Sequence, residues 1–185
     1  AANFAFANKQ IITHNIRNEM KKIFPKLKAQ VVYDVCHNIA KVEKHNFQDI
    51  LVMRKGATRS FGPGRKELPQ KYKATGQPVI IPGSMGTSSY ILVGTKQAEQ
   101  VSFSSTAHGA GRIKSRTAAK KEFSPEQIQK DLTKQGIELK AGSPKGILEE
   151  APQAYKDIDE VVNVSHKASI GNLVAKLKPL AVVKG

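Results

Sequence analysis

The chain has 185 residues and carries 30 lysines and arginines against 15 aspartates and glutamates, a formal net charge of +15. Its 39% hydrophobic and 24% charged residues are typical of a globular protein, and no apolar run approaches the ~20 residues needed to cross a bilayer. The single cysteine, Cys36, excludes an internal disulfide framework. We therefore expect a cytoplasmic protein, without membrane association, whose partner is a polyanion such as nucleic acid.

The first 103 residues predict one helix followed by short strands. Apolar residues recur at spacings of three and four over 1–24, which places them on one helix face, and Pro25 ends that helix. The segment 54–72 contains several glycines and prolines and predicts a basic loop. Segments rich in β-branched and aromatic residues predict strands over 30–37, 42–45, 49–54, 78–82, 90–94 and 101–103.

The second half predicts three helices and two strands. Helices are expected over 111–121, from Ser124 to Gly136 and over 157–168, the second because Ser124 is a good N-cap and Pro125 suits the first helical position. A short strand is expected at 137–139, a turn at 141–146 and an edge strand over 173–183 that Pro179 interrupts. Short strands mixed with a few helices indicate an α+β fold.

The stretch 104–116 places His108 between small hydroxyl residues and two glycines, with Arg112 and Arg116 following. Glycines let backbone N–H groups approach an anion, arginines bind phosphate, and a histidine there could be a nucleophile or base at phosphorus. The same pattern is typical of a glycine-containing loop before a helix with a surface histidine. Taken alone, the pattern favours that loop.

Three further features have both a functional and a plain interpretation. His37 ends a predicted strand and could bind a metal, although a lone histidine is more often structural. The turn 83–89 could hold a phosphate or ribose, or could simply join two strands. The basic residues of 54–66, with Arg112 and Arg116, could follow a nucleic-acid backbone or form a solvated surface. His14, His45 and His166 are expected at the surface.

Five phrases taken together resemble one known family. They are 33–43 (YDVCHNIAKVE), 54–64 (RKGATRSFGPG), 76–95 (GQPVIIPGSMGTSSYILVGT), 102–116 (SFSSTAHGAGRIKSR) and 177–185 (LKPLAVVKG). In this order and with these gaps they resemble the RNA-splicing ligase RtcB family over essentially the whole chain. The resemblance implies that 1–185 is the C-terminal portion of a single catalytic domain, an incomplete version of that family's α+β fold.

The resemblance also implies a function. The family joins RNA ends carrying a 2′,3′-cyclic phosphate or a 3′-phosphate to 5′-hydroxyl ends, using GTP and Mn²⁺, in tRNA splicing and RNA repair. The implied substrates are tRNA halves or broken RNA, and an accessory protein such as archease is a possible activator. His108 is implied to be the nucleophile that becomes guanylated.

Other site residues follow from the same motifs. His37 matches a manganese-binding histidine, and Arg112 and Arg116 match arginines suited to RNA or triphosphate contacts. The implied guanylate-binding residues, besides His108, are Ser84, Ser89, Ala110, Gly111, Tyr155 and Lys184. Among them, Tyr155 would pack on the guanine ring and Lys184 would bond its edge.

The chain departs from the family in one important way. The other implied manganese ligands (an Asp, a Cys and further His residues) and an Asn and a Glu near the guanylate have no counterpart here, and we expect little or no ligation by 1–185 alone. Two other functions remain open. One is a non-catalytic basic RNA-binding fragment or degenerate relative, and the other is a metal-dependent phosphoesterase that opens cyclic phosphates without GTP.

Overall fold

Six α-helices and nine short strands alternate through residues 2–184, the part of the chain that the computed structural model describes. The helices are α1 (Ala2–Ile23), α2 (Gln97–Ser102), α3 (Arg116–Glu122), α4 (Pro125–Lys134), α5 (Pro144–Glu149) and α6 (Ile158–Lys167). The strands are β1 (Asn38–His45), β2 (Gln48–Lys55), β3 (Ala57–Arg59), β4 (Pro78–Ile81), β5 (Ser89–Gly94), β6 (Ser105–Ala107), β7 (Glu138–Ala141), β8 (Gly171–Leu177) and β9 (Ala181–Lys184).

The strands form four small sheets in the described chain. β1 and β2 form an antiparallel hairpin, β3 pairs antiparallel with β6, and β4, β5 and β8 form a three-stranded antiparallel sheet. β7 and β9 pair in parallel. This mixture of helices with mostly antiparallel short strands confirms the predicted α+β class.

Capping residues explain where several helices begin. The Ser124 hydroxyl accepts the backbone N–H of Gln127 at the start of α4, and the Asp157 carboxylate accepts that of Asp159 at the start of α6, as the sequence predicts. Ser115 and Ser143 cap α3 and α5 in the same way. Each cap satisfies an N–H group that the first helical turn leaves without a partner.

Two clusters of buried apolar side chains lie in the core of the described residues. One packs α4 and α5 against β7 and contains Met85, Ile128, Leu132, Ile137, Leu139, Ile147 and Ala151. The other lies between the β4–β5–β8 sheet and α6 and contains Ile81, Tyr90, Leu92, Ala110, Ile158 and Val162. Ala110 belongs to the stretch that follows His108, so the second cluster anchors that stretch to the sheet.

Helix α1, Ala2–Ile23, confirms the predicted helix within the described residues, and the predicted first residue lies outside them. Its apolar face is not buried by the described residues. Phe4 is 83% exposed and Ile23 is 70% exposed. Lys9 pairs with Asp34, and Arg17 Nε donates to the Ala29 carbonyl, so polar contacts hold the segment after the helix against it. Within residues 2–184, no helix has both the length and the apolar character needed to cross a membrane.

Some local predictions are wrong. The segment 30–37 has no regular structure, because no described strand runs beside it and its contacts come from side chains such as Tyr33, whose ring packs on Tyr72. The predicted strand 101–103 instead contains the end of α2 and a left-handed Phe103. The predicted turn 141–146 contains the beginning of α5, where Ser143 caps Pro144 and its successors.

Other predicted bounds also change. The strand expected over 173–183 is two strands in different sheets, since Pro179 has no N–H to continue the pairing. The helix expected over 111–121 begins only at Arg116, because Gly111 has a positive φ of 75° and Ser115 is the cap. His45, expected at the surface, is 3% exposed and hydrogen-bonded to Glu43.

Candidate active site

His108 directly follows β6, which is held in register by β3 through the pair Ala57 and Ala107. Its Nδ1 lies 2.7 Å from the carbonyl oxygen of Gly56, the residue just before β3. Because a carbonyl can only accept, Nδ1 carries the hydrogen, and in the neutral ring the lone pair is therefore on Nε2. The backbone thus fixes both the orientation of the ring and the nitrogen that carries its lone pair.

His37 lies against His108, although 71 residues of sequence separate them. The two imidazole rings are stacked, with centroids 4.9 Å apart and planes at 21°. His37 is exposed and belongs to the irregular segment immediately before β1. The structure therefore brings the candidate metal ligand and the candidate nucleophile together.

A metal site is not complete in this region. Among residues 2–184, no group of three or more His, Cys, Asp or Glu side chains is arranged to hold a metal ion. His37 can supply one imidazole ligand, and Cys36 lies beside it in sequence as a free, half-buried cysteine. The described residues consequently do not fit a bound manganese ion by themselves.

The turn between β4 and β5 lies next to the His108 stretch. The Ala110 N–H donates to the Pro82 carbonyl at 3.0 Å, which joins the two segments. Inside the turn, the Ser84 N–H donates to Thr87 Oγ1 at 2.7 Å, and the two hydroxyl oxygens are 3.2 Å apart. The turn is therefore built from its own hydroxyl groups, and its Ser84 side chain is half-buried.

A cavity of about 330 Å³ opens between this turn and the C-terminal strands. Three predicted guanylate-binding residues line it, namely Ser84, Ser89 and Lys184, together with Glu150. Its volume is at the lower end of the range of ligand sites, which is about 300–1,000 Å³. Hydroxyl, ammonium and carboxylate groups beside apolar side chains can bind a polar ring such as a nucleobase.

Glu150 connects several predicted site residues. Its Oε2 accepts the Tyr155 hydroxyl at 2.6 Å and lies 3.7 Å from Lys184 Nζ. Burial and the hydrogen bond to Glu150 hold the pKa of Tyr155 above its ordinary value, although Arg112 acts in the opposite direction. Tyr155 itself does not line the cavity, so its contact with the site passes through Glu150.

The two arginines have different environments. Arg112 does not lie on a helix: its Nη1 donates to the Glu149 carbonyl at 2.6 Å and to the Tyr155 hydroxyl at 2.9 Å, and its guanidinium lies over the Tyr155 ring. Arg116 is in the first turn of α3 with its side chain 63% exposed and 3.5 Å from Glu149. Only Arg116 of this pair has an exposed guanidinium.

Gly111 and Ala110 continue from His108 towards Tyr155. The Lys156 N–H donates to the Gly111 carbonyl at 2.9 Å, and Ala110 is 4% exposed. The structure thus gathers His37, His108, Ala110 and Gly111 around one loop, with Ser84, Ser89 and Lys184 around the neighbouring cavity. Glu150 and Gly56 were not predicted from the sequence. Glu150 follows α5, whose beginning was predicted as a turn, and Gly56 contributes only its backbone carbonyl.

The chain matches a sequence family over its whole length. Residues 1–185 match the family described as tRNA-splicing ligase RtcB. The tRNA-splicing ligase RtcB of Nanoarchaeum equitans is 52% identical over 193 aligned residues, which cover all of this chain and 40% of that protein. Those of Pyrobaculum aerophilum and Pyrococcus horikoshii are each 48% identical, with 40% and 22% of their lengths covered.

The chain belongs to the RtcB family, as its motifs indicate. It spans about 40% of the length of the first relatives it matches.

Proposed function

We propose that this chain is part of a GTP- and manganese-dependent RNA ligase that joins 2′,3′-cyclic phosphate or 3′-phosphate RNA ends to 5′-hydroxyl ends. The observation that carries the proposal is the Nδ1 hydrogen bond of His108, which leaves the lone pair on Nε2. The Ala110 N–H, two residues further on, bonds the Pro82 carbonyl at the edge of the polar cavity. In this proposal, residues 1–185 are the C-terminal portion of one catalytic domain.

His108 is the nucleophile in the proposed first step. Its Nε2 lone pair attacks the α-phosphorus of GTP, so that an N–P bond forms and the bond to pyrophosphate breaks. The ring then carries a positive charge, and the Gly56 carbonyl, which accepts from Nδ1, stabilises it. The cationic imidazole is afterwards a good leaving group.

The guanylate then passes to RNA. An oxygen of the RNA 3′-phosphate attacks the guanylate phosphorus, the N–P bond breaks and His108 returns to its neutral form. The 5′-hydroxyl of the second RNA loses its proton to solvent and attacks the activated 3′-phosphorus, and GMP leaves as the new phosphodiester forms. A 2′,3′-cyclic phosphate must first be opened by water to the 3′-phosphate.

The cavity between the 83–89 turn and the C-terminal strands is the proposed guanosine site. Lys184 would donate to an acceptor on the edge of the base, while Ser84 and Ser89 supply hydroxyl groups. Ala110 and Gly111, which follow His108, would lie along the phosphate. Tyr155 would contribute either by its ring or by holding Glu150.

Manganese would supply charge neutralisation for the polyphosphate when bound. His37, stacked on His108, is the proposed ligand from this chain. Because residues 2–184 do not provide a complete set of ligands, the proposal requires ligands from other residues of the protein.

RNA is the proposed macromolecular partner, in the form of tRNA halves or broken RNA. The formal net charge of +15 and the exposed guanidinium of Arg116 support it, whereas Arg112 is engaged by Glu149 and Tyr155. An activator of the archease type and a cytoplasmic location complete the proposal. The net charge alone would equally suit a non-catalytic RNA-binding protein.

Ligation of two RNA fragments tests the proposal. The protein as its gene encodes it is incubated with a 3′-phosphate RNA, a 5′-hydroxyl RNA, GTP and Mn²⁺. We expect a joined product that requires GTP and disappears in His108→Ala. RNA binding without ligation would favour the non-catalytic alternative, and cyclic-phosphate opening that needs no GTP would favour a phosphoesterase.

A further inference from the structure

Arg54 belongs to the basic segment 54–66 considered for RNA contact, but it forms a buried ion pair with Glu43 instead. Arg54 of β2 is 3% exposed and Glu43 of β1 is 5% exposed. Arg54 Nη1 and Nη2 donate to the two carboxylate oxygens of Glu43 at 2.7 and 2.8 Å, a forked arrangement across the hairpin. His45 Nε2 lies 3.2 Å from Glu43, so the carboxylate is held on both sides.

The same guanidinium reaches the segment that leads into His108. Arg54 Nε donates to Ser105 Oγ at 2.9 Å, and Nη2 donates to the Phe103 carbonyl at 2.9 Å. Ser105 is the first residue of β6, the strand that ends next to His108. One side chain therefore ties the β1–β2 hairpin to the beginning of the nucleophile's strand.

The segment that Arg54 holds is strained. Phe103 and Ser104 have positive φ angles of 50° and 51°, in the left-handed region that costs free energy for residues with a Cβ. Here the Ser104 carbonyl also accepts the Ser60 N–H at 2.7 Å, and the Ser104 N–H donates to Ala98 at 2.8 Å.

Arg54 also belongs to the chain segment that receives the His108 hydrogen bond. Gly56, whose carbonyl accepts from His108 Nδ1, follows Arg54 by two residues. The backbone after Arg54 thus supplies the acceptor, while its side chain holds the segment that supplies the donor.

We infer that Arg54 is the positioning residue of the His108 nucleophile: it fixes β6 against β2 so that Nδ1 meets the Gly56 carbonyl and Nε2 stays free. The inference rests on the proposed function for its catalytic meaning, but the geometry it describes exists without nucleotide. Arg54 acts through backbone and Ser105, and it need not touch guanylate.

A purely structural ion pair would behave differently. Such a pair would stabilise the hairpin and leave the hydrogen bonding of the His108 ring unchanged. The positioning role instead predicts that the ring tautomer responds when Arg54 changes. The tautomer is therefore the measurement that separates the two roles.

The experiment uses the protein as its gene encodes it, with isotope-labelled histidine and long-range proton–nitrogen NMR at one fixed pH. In the unaltered protein we expect His108 to carry its hydrogen on Nδ1. In Arg54→Met and Arg54→Lys we expect the ratio of Nδ1–H to Nε2–H forms to fall about tenfold, the size of one lost hydrogen bond. Arg54→Lys keeps the charge but lacks the fork.

Two further variants keep the test decisive if Arg54→Met does not fold. Ser105→Ala removes one tether and leaves the Glu43 pair intact, and we expect a shift in the same direction. Arg65→Met is the matched control, because Arg65 is also an ion-paired arginine, bound to Glu67 and Glu99, and shows no hydrogen bond to 103–108. We expect it to leave the His108 tautomer unchanged.

Labelling by GTP provides the second measurement. We expect the Arg54 variants to lower the rate of His108 guanylation about tenfold at saturating GTP while the KM for GTP stays constant. Folded Arg54→Lys and Ser105→Ala proteins with the unaltered tautomer would overturn the inference. Absence of labelling in the unaltered protein would instead overturn the proposed function and leave the tautomer result standing.

Discussion

The Nδ1 atom of His108 and the carbonyl oxygen of Gly56 are 2.7 Å apart, and this contact decides which imidazole nitrogen is free. Gly56 has a φ of 72°, so the acceptor stands at a position where a residue with a Cβ is strained. The orientation of the His108 ring therefore depends on a backbone conformation 52 residues earlier in the chain.

Gly56→Ala tests that dependence. The added Cβ would lie 3.7 Å from His108 Cε1, an ordinary contact, so the cost is the left-handed backbone, about 1–2 kcal/mol in the free energy of unfolding. Urea denaturation measures it. Gly64→Ala is the matched control, because Gly64 also has a positive φ, of 89°, and nothing lies within 4 Å of its added Cβ.

We expect both glycine variants to lose similar stability, and only Gly56→Ala to slow His108 guanylation. Equal guanylation rates in the two variants would contradict the assigned role of the Gly56 carbonyl.

The buried carboxylate of Glu43 should make the stability of the fold decrease at acidic pH. Burial alone would raise the pKa of Glu43, but the hydrogen bonds from Arg54 and His45 outweigh it, so that the pKa lies below the ordinary value of 4.5. A lowered folded pKa stabilises the protein above pH 4.5, and this contribution is lost as pH falls through the folded value. Urea denaturation at successive pH values should show stability declining below that point.

Glu43→Gln should remove this part of the acid dependence and cost about 3–5 kcal/mol near neutral pH, since it leaves Arg54 buried without its ion pair. The exposed pair of Glu138 and Lys140 provides the control, because Glu138→Gln should change stability by less than about 1 kcal/mol. If Glu43→Gln lost stability at acidic pH as the unaltered protein does, Glu43 would not be the group responsible.

The hydrogen bond between Tyr155 and Glu150 leads to a prediction about stability at alkaline pH. Because burial and Glu150 raise the pKa of Tyr155 above 10.0, the neutral phenol stabilises the fold below pH 10.0, and the contribution is lost as pH rises through the folded pKa. Absorbance titration of the unaltered protein minus that of Tyr155→Phe isolates this group.

The Glu150→Gln variant keeps an acceptor for the Tyr155 hydroxyl but removes the charge beside it and beside Lys184. We expect the pKa of Tyr155 to fall towards its ordinary value, and to fall further in Glu150→Ala. A Tyr155 titration that neither variant moves would show that burial alone raises its pKa.

The exposed guanidinium of Arg116 leads to a prediction about how RNA binding depends on salt concentration. If its exposed guanidinium contacts one phosphate, Arg116→Ala should weaken RNA binding and reduce the slope of log K against log salt by about 0.7. Fluorescence anisotropy over a salt series measures both. Lys140→Ala, at a lysine 79% exposed on β7, is the control, and an equal effect in both variants would indicate general charge rather than a defined contact.

Local signals in the sequence were sufficient to predict α4, α6, β2 and the second half of β1. Ser124, Pro125 and Asp157 fix helix beginnings by contacts within three residues, and such contacts can be recognised without knowing the fold. The strand predicted over 30–37 is absent. A strand needs a neighbouring strand to pair with, and β-branched composition alone does not supply one. β9 was merged with β8 because its partner, β7, lies about 40 residues earlier.

Some features of the candidate site could likewise be predicted from the sequence, and others depend on how the chain folds. His108, Ser84, Ser89 and Lys184 could be named from motifs, yet the stacking of His37 on His108 depends on how the hairpin packs against β6. Arg112 was expected on a helix face, but its guanidinium is drawn inward by the Glu149 carbonyl and Tyr155. Gly56 contributes a carbonyl, and a backbone group leaves no signal in side-chain chemistry.

The most direct test of the central claim is to locate the guanylate. The protein as its gene encodes it is incubated with Mn²⁺ and GTP radiolabelled in the α-phosphate, digested, and the labelled peptide identified by mass spectrometry. We predict an acid-labile, alkali-stable label on His108 Nε2 that is absent from His108→Ala. A label on any other residue, or one that persists in His108→Ala, would contradict the account.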